Sequence, residues 1–344
     1  MSEHKADLPP QVPPQVMMLQ MISGFWISRA IYIVAKLGLA DHLQGGAKTA
    51  EELAAASGTH APSLFRVLRA LSSVGVLTQS ADNRFGLTPL SETLRTDVPG
   101  SLRAFATTEL GDDHYEGWGN LMHSVRTGEI AFDSLMGMSA WEYYAQHPEN
   151  GKTFNDAMTG MSQGTIDAVL ASYDFAGITK LADIGGGHGA LLTAVLKANP
   201  TMQGILFDAP NVVGGAQEPI AAAGLSDRCE IVGGDFFASV PSGADAHVMK
   251  WIIHDWDEAK CHTILTNCHQ ALPANGKLIL IEAVVPATSE PHFSKFIDLN
   301  MLVMTGGRER TGDEYRELLA QAGFKLTRII PTASPMSVVE AVRS

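Results

Sequence analysis

Residues 181–210 read LADIGGGHGALLTAVLKANPTMQGILFDAP, and this segment decides the fold class of the chain. A short apolar run ends at Ile184 in a glycine-rich turn, a helical pattern of leucine and valine follows, and a second apolar run ends in Asp208. This order of strand, turn, helix and strand holds nucleotide-like cofactors, because glycine lets a ligand approach the backbone and the helix N-terminus offers free N–H groups. The segment predicts a Rossmann-like α/β domain.

The glycine turn by itself leaves the ligand open. Gly185, Gly187 and Ala190 fit the fingerprint of NAD-binding proteins as well as that of S-adenosylmethionine (SAM) enzymes, and a tight turn without a ligand has the same pattern. Asp208, at the tip of the second predicted strand, is placed to accept hydrogen bonds from two ribose hydroxyls of either cofactor. The residues downstream therefore have to distinguish the two cofactors.

The composition is that of a globular protein long enough for two domains, with 344 residues of which 45% are hydrophobic. Lys and Arg number 24 against 37 Asp and Glu, and the net charge of −13 argues against a nucleic-acid partner because it repels phosphate backbones. We find no apolar run of about 18 residues and no signal-peptide pattern, so we expect a cytoplasmic protein that does not bind a membrane. The three cysteines have no metal-ligand spacing and are expected to be buried thiols.

The N-terminus predicts a flexible tail followed by a long apolar helix. Residues 1–16 contain four prolines and predict the tail. Residues 17–43 form a helical pattern that is apolar on most sides. A helix lying on a membrane surface would need more basic residues than this segment has. We therefore expect the helix to pack against a second copy of the chain.

Helices and a hairpin over residues 17–98 predict a winged-helix-like dimerisation domain. One helix begins at a capping-box pattern, Thr49 followed by Glu52, and a second helix and a short hairpin come after it. Winged helices often bind DNA, but the candidate recognition helix offers only Arg66 and Arg69 as basic residues. These charges are too few for a DNA-binding surface.

The rest of the chain predicts a helical linker region at 99–150 and a cofactor-binding domain at 151–344. The linker is rich in aromatic residues at helical spacing, which lie more often in a core than in a ligand site. From residue 181 strands and helices alternate, and charged residues fall at the C-terminal ends of the strands, the edge where open parallel α/β sheets bind ligands. The charged residues are Asp183, Asp208, Asp235, Lys250 and Glu282.

Five segments resemble, in order and spacing, motifs of the plant-type SAM-dependent O-methyltransferases and their bacterial relatives. They are LADIGGGHG, LFDAP, GGDFF, MKWIIHDW and GGRERT, and HYEGWGNLMHSVRTGE is similar to the bacterial branch. The resemblance covers the chain from about residue 17 to its end. It implies a winged-helix-like dimerisation domain, a Rossmann-like SAM-binding catalytic domain, a homodimer, and methyl transfer without a metal ion.

Carried over residue by residue, the resemblance places SAM beside Gly185 and Gly187, with Asp208 on the ribose. Asp235 and Phe236 would hold the adenine, the carboxylate accepting from the exocyclic amine and the ring packing on the base. With Asp235 and Phe236 at the adenine end and Lys250 and His254 beyond the ribose, this edge lacks the room that NAD needs for its second nucleotide. The remaining cofactor candidates are Ser162, Asp183 and Lys250. The alternative for Asp235 and Lys250 is an ion pair with a purely structural role.

His254 matches the catalytic base of that family, and Glu282 and Glu309 match the acids that flank and orient it. A carboxylate on Nδ1 would fix the tautomer and stabilise the imidazolium. With an ordinary imidazole pKa of about 6.5 against about 10 for a phenol, complete proton transfer before attack would cost about 4.8 kcal/mol. The alternative for Glu309 is a salt bridge with Arg308 or Arg310 on an exposed loop.

These residues predict an O-methyltransferase that acts on a hydroxyl of an aromatic small molecule. Methionines stand before GGRERT where the plant enzymes have a substrate-contacting asparagine, so the identity of the acceptor is not carried over. The candidates for the acceptor wall are Phe154, Met158, Met301 and Met304. The alternatives are a family member with another activity (N-methyl transfer, hydroxylation, decarboxylation or a pericyclic step) and a winged-helix regulator that senses a ligand.

Overall fold

The computed structural model describes residues 12–344 and divides the chain into two compact units. The first unit ends at Gly111 and the second spans Asp112–Ser344. Most of the predicted tail, residues 1–16, lies outside the described residues, and a helix begins within its last part, at Pro14. The predicted linker region 99–150 is divided between the units, because its first helix packs on the N-terminal elements and its other helices belong to the second unit.

The first unit consists of short helices and one antiparallel hairpin. Its elements are α1 (Pro14–Ile22), α2 (Gly24–Lys36), α3 (Leu39–His42), α4 (Ala50–Ser57), α5 (Ala61–Ser73), β1 (Leu77–Gln79), β2 (Phe85–Leu87), α6 (Pro89–Glu92) and α7 (Arg103–Glu109). Leu53, Leu68 and Phe85 lie in its core. The predicted capping box is present: the Thr49 hydroxyl accepts from the Glu52 N–H and the Glu52 carboxylate from the Thr49 N–H. The predicted order of helices and wing is confirmed.

The N-terminal apolar segment is not the single helix that its pattern predicts. The helix is interrupted at Ser23, between α1 and α2, and the chain turns again at Gly38, whose φ of 62° is left-handed. α1 has no buried residue, and a row of large apolar side chains on α1 and α2 is exposed. These side chains are Met17, Met18, Leu19, Met21, Ile22, Phe25 and Trp26. A continuous apolar surface of this kind marks an interaction site.

By length and composition alone, α1 and α2 together are also apolar enough to cross a membrane. Pro14–Lys36 has 23 residues and contains an 18-residue window with a mean hydropathy of 1.3, of which 6% is buried. The prediction that no such segment exists was therefore wrong, because isolated Ser, Gln and Gly residues interrupt the apolar run without lowering its mean enough. A helix that is buried against a second subunit has the same composition.

The second unit combines helices with a seven-stranded mixed sheet. Its helices are α8 (Asp112–Gly119), α9 (Leu121–Thr127), α10 (Ala131–Met136), α11 (Ala140–Gln146), α12 (Pro148–Ser172), α13 (Ala190–Ala198), α14 (Pro210–Val213), α15 (Gln217–Ala222), α16 (Glu258–Ala271), α17 (Ser294–Met304) and α18 (Gly312–Gln321). Its strands are β3 (Lys180–Ile184), β4 (Gln203–Asp208), β5 (Cys229–Gly233), β6 (Ala246–Lys250), β7 (Lys277–Glu282), β8 (Val284–Val285), β9 (Arg310–Thr311), β10 (Phe324–Pro331) and β11 (Ser337–Arg343). The sheet order is β10-β11-β7-β6-β3-β4-β5, and β8 pairs with β9 separately.

The five neighbouring strands β7, β6, β3, β4 and β5 are parallel to one another. They have apolar clusters on both faces of the sheet. One cluster contains Leu192 and Val248, and the other contains Leu265 and Leu280. Every strand and helix predicted from residue 181 onward is present, whereas α14, α15 and α17 were not predicted. The last two strands, whose direction the sequence left open, run antiparallel because the short loop between them leaves no room for a crossover.

Candidate active site

The parallel strands bring the predicted polar residues to one edge of the sheet. Asp208, Lys250 and Glu282 are the last residues of β4, β6 and β7. Asp183 is the second-last residue of β3, and Asp235 follows the end of β5 by two residues. Because the strands that carry them are neighbours and parallel, all five residues meet at the edge where α/β sheets bind ligands.

The turn after β3 forms a backbone cradle that glycine alone can build. Gly185, Gly187 and Gly189 have φ values of 73°, 58° and 80°, all in the left-handed region. A Cβ at Gly185 would lie 2.5 Å from Cδ1 of Ile252, whereas a Cβ at Gly187 would meet no atom within 4 Å. The turn therefore packs tightly on one side and borders open space on the other, directly before the N-terminus of α13.

Asp208 is joined to this turn by hydrogen bonds. Its Oδ2 accepts from the N–H of Gly187 at 2.7 Å and its Oδ1 accepts from the N–H of Ala209 at 2.6 Å. Burial raises the pKa of Asp208, while the two N–H groups act in the opposite direction. Each carboxylate oxygen has further acceptor capacity, so these contacts are compatible with two ribose hydroxyls.

Asp183 and Lys250 are polar residues at the ends of the neighbouring strands β3 and β6. Asp183 is buried, and its Oδ2 has no hydrogen-bond partner within residues 12–344. Burial raises the pKa of Asp183 to about 7, against the effect of the Lys250 charge. Burial likewise lowers the pKa of Lys250 to about 8, and Nζ lies 3.9 Å from the centre of the Trp251 ring. A buried carboxylate oxygen without a partner, next to a lysine, suits a polar ligand group.

Asp235 and Phe236 lie near the glycine turn and not in an ion pair. Asp235 is exposed, and its Oδ1 accepts from the N–H of Phe237 at 2.8 Å. Within the described part of the chain no salt bridge joins Asp235 to Lys250, so the structural ion pair considered as an alternative was wrong. Cε1 of Phe236 lies 3.8 Å from the position of a Cβ at Gly185, which places the ring against the cradle.

His254 lies in a single 3₁₀ turn, Ile253–Asp255, directly after β6. Its Nδ1 is 2.6 Å from Oε1 of Glu309 and 4.0 Å from Oε2 of Glu282. Its Nε2 is 3.5 Å from Oδ1 of Asp255. The structure therefore brings the three predicted catalytic residues together and adds a third carboxylate, which the sequence analysis did not select.

Glu309 is buried and not part of an exposed salt bridge. Its side chain contacts His254, and its N–H donates to Oδ1 of Asp298 at 2.9 Å. Arg308 and Arg310 instead pair with Glu258, so the alternative for Glu309 was wrong. The reason is that Glu309 and Arg310 are both buried against partners from distant parts of the chain, which the local sequence Arg-Glu-Arg does not reveal.

The carboxylates around His254 control its charge. Burial lowers the pKa of the imidazole, but Asp255, Glu309 and Glu282 together outweigh burial and raise it to about 10. Burial raises the pKa of Asp255 to about 6 and that of Glu282 to about 7, in both cases against the effect of the imidazolium. The three carboxylates therefore favour the imidazolium form of His254 over the neutral imidazole.

Glu282 is tied to the turn that carries His254. Its Oε1 accepts from the N–H groups of Ile252 and Ile253 at 3.1 and 2.9 Å, and its Oε2 has no partner among the described residues. One ligand atom each of His254, Glu282 and Glu309 lie within 4.8 Å of one another, a spacing that could also hold a metal ion. The hydrogen bonds to the imidazole and to the backbone account for the same arrangement without one.

A row of aromatic rings leads from α11 and α12 to the cradle. Phe154 stacks on Tyr144, with ring centres 4.8 Å apart, and meets Trp141 edge-on. Trp141 stacks on Trp256 at 5.7 Å, and Trp256 in turn contacts Phe236. The row therefore reaches the cradle at Phe236 and passes Trp256, which lies two residues beyond His254 in the sequence.

The other predicted wall residues lie in different surroundings. Met158 is partly buried on α12, one turn beyond Phe154, and its carbonyl accepts from the buried Ser162 hydroxyl at 2.5 Å. Met301 and Met304 are buried on α17, and Met304 packs in the helical cluster around Phe132. The roles of all these residues as cofactor or acceptor contacts stay predictions.

Several residues of the site were missed by the sequence analysis although they lie in its quoted motifs. Asp255 and Trp256 belong to MKWIIHDW, and Gly307 and Arg310 belong to GGRERT. A Cβ at Gly307 would lie 1.9 Å from the carbonyl oxygen of His254, so the two motifs are in backbone contact. The positions of Asp255, Trp256, Gly307 and Arg310 within the two motifs could have marked them as site residues. The burial of Arg310 could be recognised only in the folded structure.

The fold and the carboxyl-edge site define an α/β protein that holds a nucleoside-containing cofactor. Residues 118–325 match the O-methyltransferase domain and residues 19–97 match the O-methyltransferase dimerisation domain. The chain therefore belongs to the O-methyltransferase family that these two domains define, and its cofactor is SAM. The dimerisation domain indicates a homodimer.

The chain is similar over most of its length to bacterial methyltransferases. It is 45% identical to a phenazine O-methyltransferase of Lysobacter antibioticus, over 96% of both chains. It is 36% identical, over 91% of both, to an 8-amino-8-demethylriboflavin N,N-dimethyltransferase of Streptomyces davaonensis. The family thus includes transfer to nitrogen as well as to oxygen.

Solved structures agree with the fold. The crystal structure of LaPhzM has a TM-score of 0.94 and 45% identity, and covers 97% of this chain and 100% of its own. An O-methyltransferase from neocarzinostatin biosynthesis, solved with SAM and 2-hydroxy-5-methyl naphthoic acid, has a TM-score of 0.84 and 33% identity, over 98% of this chain and 100% of its own. Both the Rossmann-like fold and SAM as cofactor are confirmed.

Proposed function

We propose that this protein transfers the methyl group of SAM to a hydroxyl of an aromatic small molecule, with His254 as general base. The observation that carries the proposal is the 2.6 Å contact between Nδ1 of His254 and Oε1 of Glu309 at the cofactor edge of the sheet. In its neutral form, a buried imidazole with an orienting carboxylate on Nδ1 has Nε2 free to accept a proton.

The residues around the cradle suit the parts of SAM. Gly185 and Gly187 provide the close backbone approach, and Asp208 provides acceptors for the ribose hydroxyls. We assign the adenine to Asp235 and Phe236. Further contacts are assigned to Ser162, Asp183 and Lys250. SAM, when bound, supplies an electrophilic methyl group on a sulfonium.

His254 removes the proton that the acceptor oxygen loses as it attacks the methyl carbon. The proton passes to Nε2, while Glu309 holds the N–H at Nδ1 and Glu282 stabilises the imidazolium. The raised pKa of His254, about 10, matches that of a phenol, so the cost of about 4.8 kcal/mol expected for an ordinary imidazole largely disappears. A different cost replaces it, because His254 has to be in its neutral form before it can act as a base. At pH 7, deprotonating the imidazolium takes about 4 kcal/mol.

Transfer to nitrogen is the second candidate, since the riboflavin N,N-dimethyltransferase is a relative. An aromatic ring nitrogen attacks with its lone pair and has no proton to lose. The paired imidazole and carboxylate would then have no chemical task, so they favour a hydroxyl over a ring nitrogen. An amine such as the 8-amino group in that relative's name also loses a proton on methylation, so a panel of acceptors has to decide between hydroxyl and amine.

The aromatic row suits a flat apolar acceptor. Phe154 and Trp141 offer ring faces and edges within 6 Å of one another, and Met158 adds a flexible side chain. Met301 and Met304 complete the proposed wall. We further propose that the protein acts in the cytoplasm, because burial in the dimer accounts for the apolar Pro14–Lys36 segment without a membrane.

A panel of acceptors tests the proposal. Pairs of aromatic compounds that differ in carrying a hydroxyl or an amine at the same position are incubated with SAM, and products heavier by one methylene unit are located by mass spectrometry and NMR. We expect O-methyl products. We also expect their yield to be the same when a metal chelator is present. Methylation of amines alone would move the function to the second candidate.

A further inference from the structure

Arg310 is a fully buried arginine whose N–H groups all find acceptors. A guanidinium carries five N–H donors. Nε and Nη2 donate to Oε1 of Glu258 at 3.2 and 2.9 Å, and Nη2 also reaches Sγ of Cys261 at 3.5 Å. Nη1 donates to the carbonyl oxygens of Ile253 and Arg308 at 3.3 and 3.1 Å. Every donor of the side chain is used in a place that excludes water.

The two carbonyls belong to the residues that precede the catalytic pair. Ile253 comes directly before His254, and Arg308 comes directly before Glu309. One nitrogen of Arg310 therefore links the turn that carries the imidazole to the loop that carries its carboxylate. The thiol of Cys261 supports the same turn, because Sγ lies 3.1 Å from the carbonyl oxygen of Ile253 and 3.3 Å from that of Trp256, and its one S–H donates to this pair of acceptors.

We propose that Arg310 is a positioning residue that sets the distance between His254 and Glu309, and that Cys261 assists it. This inference rests on the proposed role of His254 as general base. Gly307 shows that the two segments are in backbone contact, so a small shift of either one moves the pair directly. A salt bridge alone does not explain the buried arginine, because its partner Glu258 is 55% exposed and an exposed arginine could form the same pair.

Lysine cannot replace this arginine, since its ammonium has three donors on one atom and cannot reach acceptors on three sides. Arg310→Lys keeps the charge and breaks the link between the two carbonyls. Cys261→Ala removes the only S–H donor to the two carbonyls of the turn with little loss of volume. Arg328→Lys is the matched control, because Arg328 pairs with Glu340 at 3.0 Å on the edge strand β10 of the same unit.

The experiment measures kcat, the KM for SAM and the pH profile of methyl transfer, with thermal melting as a folding check. For Arg310→Lys we expect kcat to fall roughly 10–100-fold, as for a displacement of about 1 Å, with the KM for SAM within threefold. The rising limb of the pH profile, which reports deprotonation of His254, should move to lower pH. The reason is that an imidazole that loses its carboxylate is a weaker base. Cys261→Ala should show a smaller change in the same direction, and Arg328→Lys should match the wild type.

A folded Arg310→Lys with wild-type kcat and pH profile would overturn the inference. If Arg310→Lys does not fold, Cys261→Ala provides the test. A wild-type pH profile in Cys261→Ala would then overturn the inference. His254→Ala is measured alongside. A wild-type rate in His254→Ala contradicts the proposed base itself, whereas a slow His254→Ala together with a normal Arg310→Lys contradicts only the role of Arg310.

Discussion

Nδ1 of His254 lies 2.6 Å from Oε1 of Glu309, although 55 residues separate the two along the chain. The imidazole belongs to the turn after β6, and the carboxylate belongs to the loop before β9. The carboxylate at Nδ1 sets the orientation of the ring. Nε2, which lies 3.5 Å from Oδ1 of Asp255, is the nitrogen that we propose takes the proton of the acceptor.

The pH dependence follows from the raised pKa of His254. A group with a raised pKa holds its proton over most of the accessible range, and a general base has to be free of it. We expect kcat/KM for a weakly acidic phenol to rise about tenfold per pH unit from neutral pH towards pH 10. SAM affinity, measured over the same range by calorimetry, should not follow this slope. A profile that is flat above pH 7 would contradict the assignment.

Asp208 should be required for SAM binding. Asp208→Ala removes the proposed ribose acceptors and also the acceptor that holds the Gly187 N–H, so we expect SAM affinity to fall at least tenfold, as for lost charge-assisted hydrogen bonds. Asp208→Asn should fall between this variant and the wild type. Calorimetry with SAM and NADH measures the effect, with the exposed Asp227→Ala as control. Tight NADH binding, or unchanged SAM affinity in Asp208→Ala, would show the assignment to be wrong.

Gly307 should not tolerate a side chain. In Gly307→Ala the added Cβ would lie 1.9 Å from the His254 carbonyl oxygen, so the backbone has to move and the catalytic pair with it. We expect kcat to fall roughly 10²-fold. Gly164→Ala is the control, because its Cβ meets nothing within 4 Å on α12, and helix propensity predicts a gain of about 0.5–1 kcal/mol in stability. Normal turnover in Gly307→Ala would refute the close packing.

The apolar row on α1 and α2 should hold the dimer together. Light scattering at micromolar concentration is expected to give the dimer mass for the wild type. Met21→Glu combined with Trp26→Glu places charges on side chains that are 71% and 64% exposed in one chain, and should give monomers. Leu90→Glu, at an equally exposed leucine on α6, should stay dimeric. A dimer that survives the double variant would locate the interface elsewhere.

Much of the catalytic unit could be predicted from the sequence because its signals are local. The strand β7 has the predicted limits 277–282, since a buried parallel strand is a continuous apolar run with polar ends. The glycine turn was predicted for the same reason, because the left-handed conformation at Gly185 and Gly187 depends on the residue type itself.

The remaining features depend on contacts between distant segments. The burial of Arg310 is possible only because Glu258, Ile253 and Arg308 come together in the fold. The raised pKa of His254 likewise depends on three carboxylates from different places in the chain, which is why an ordinary imidazole was expected. The helix break at Ser23 falls at the pair Ser23–Gly24, a local signal that the continuous apolar pattern obscured.

His254→Ala tests the central claim most directly, through methyl-transfer rates on two phenols, one weakly acidic and one already ionised at the assay pH. The variant should bind SAM within a few-fold of the wild type and lose roughly 10²–10⁴ in turnover on the weakly acidic phenol, the usual contribution of a positioned base. The loss should be clearly smaller on the ionised phenol, which has no proton to remove. A wild-type rate on the weakly acidic phenol would show that His254 is not the base.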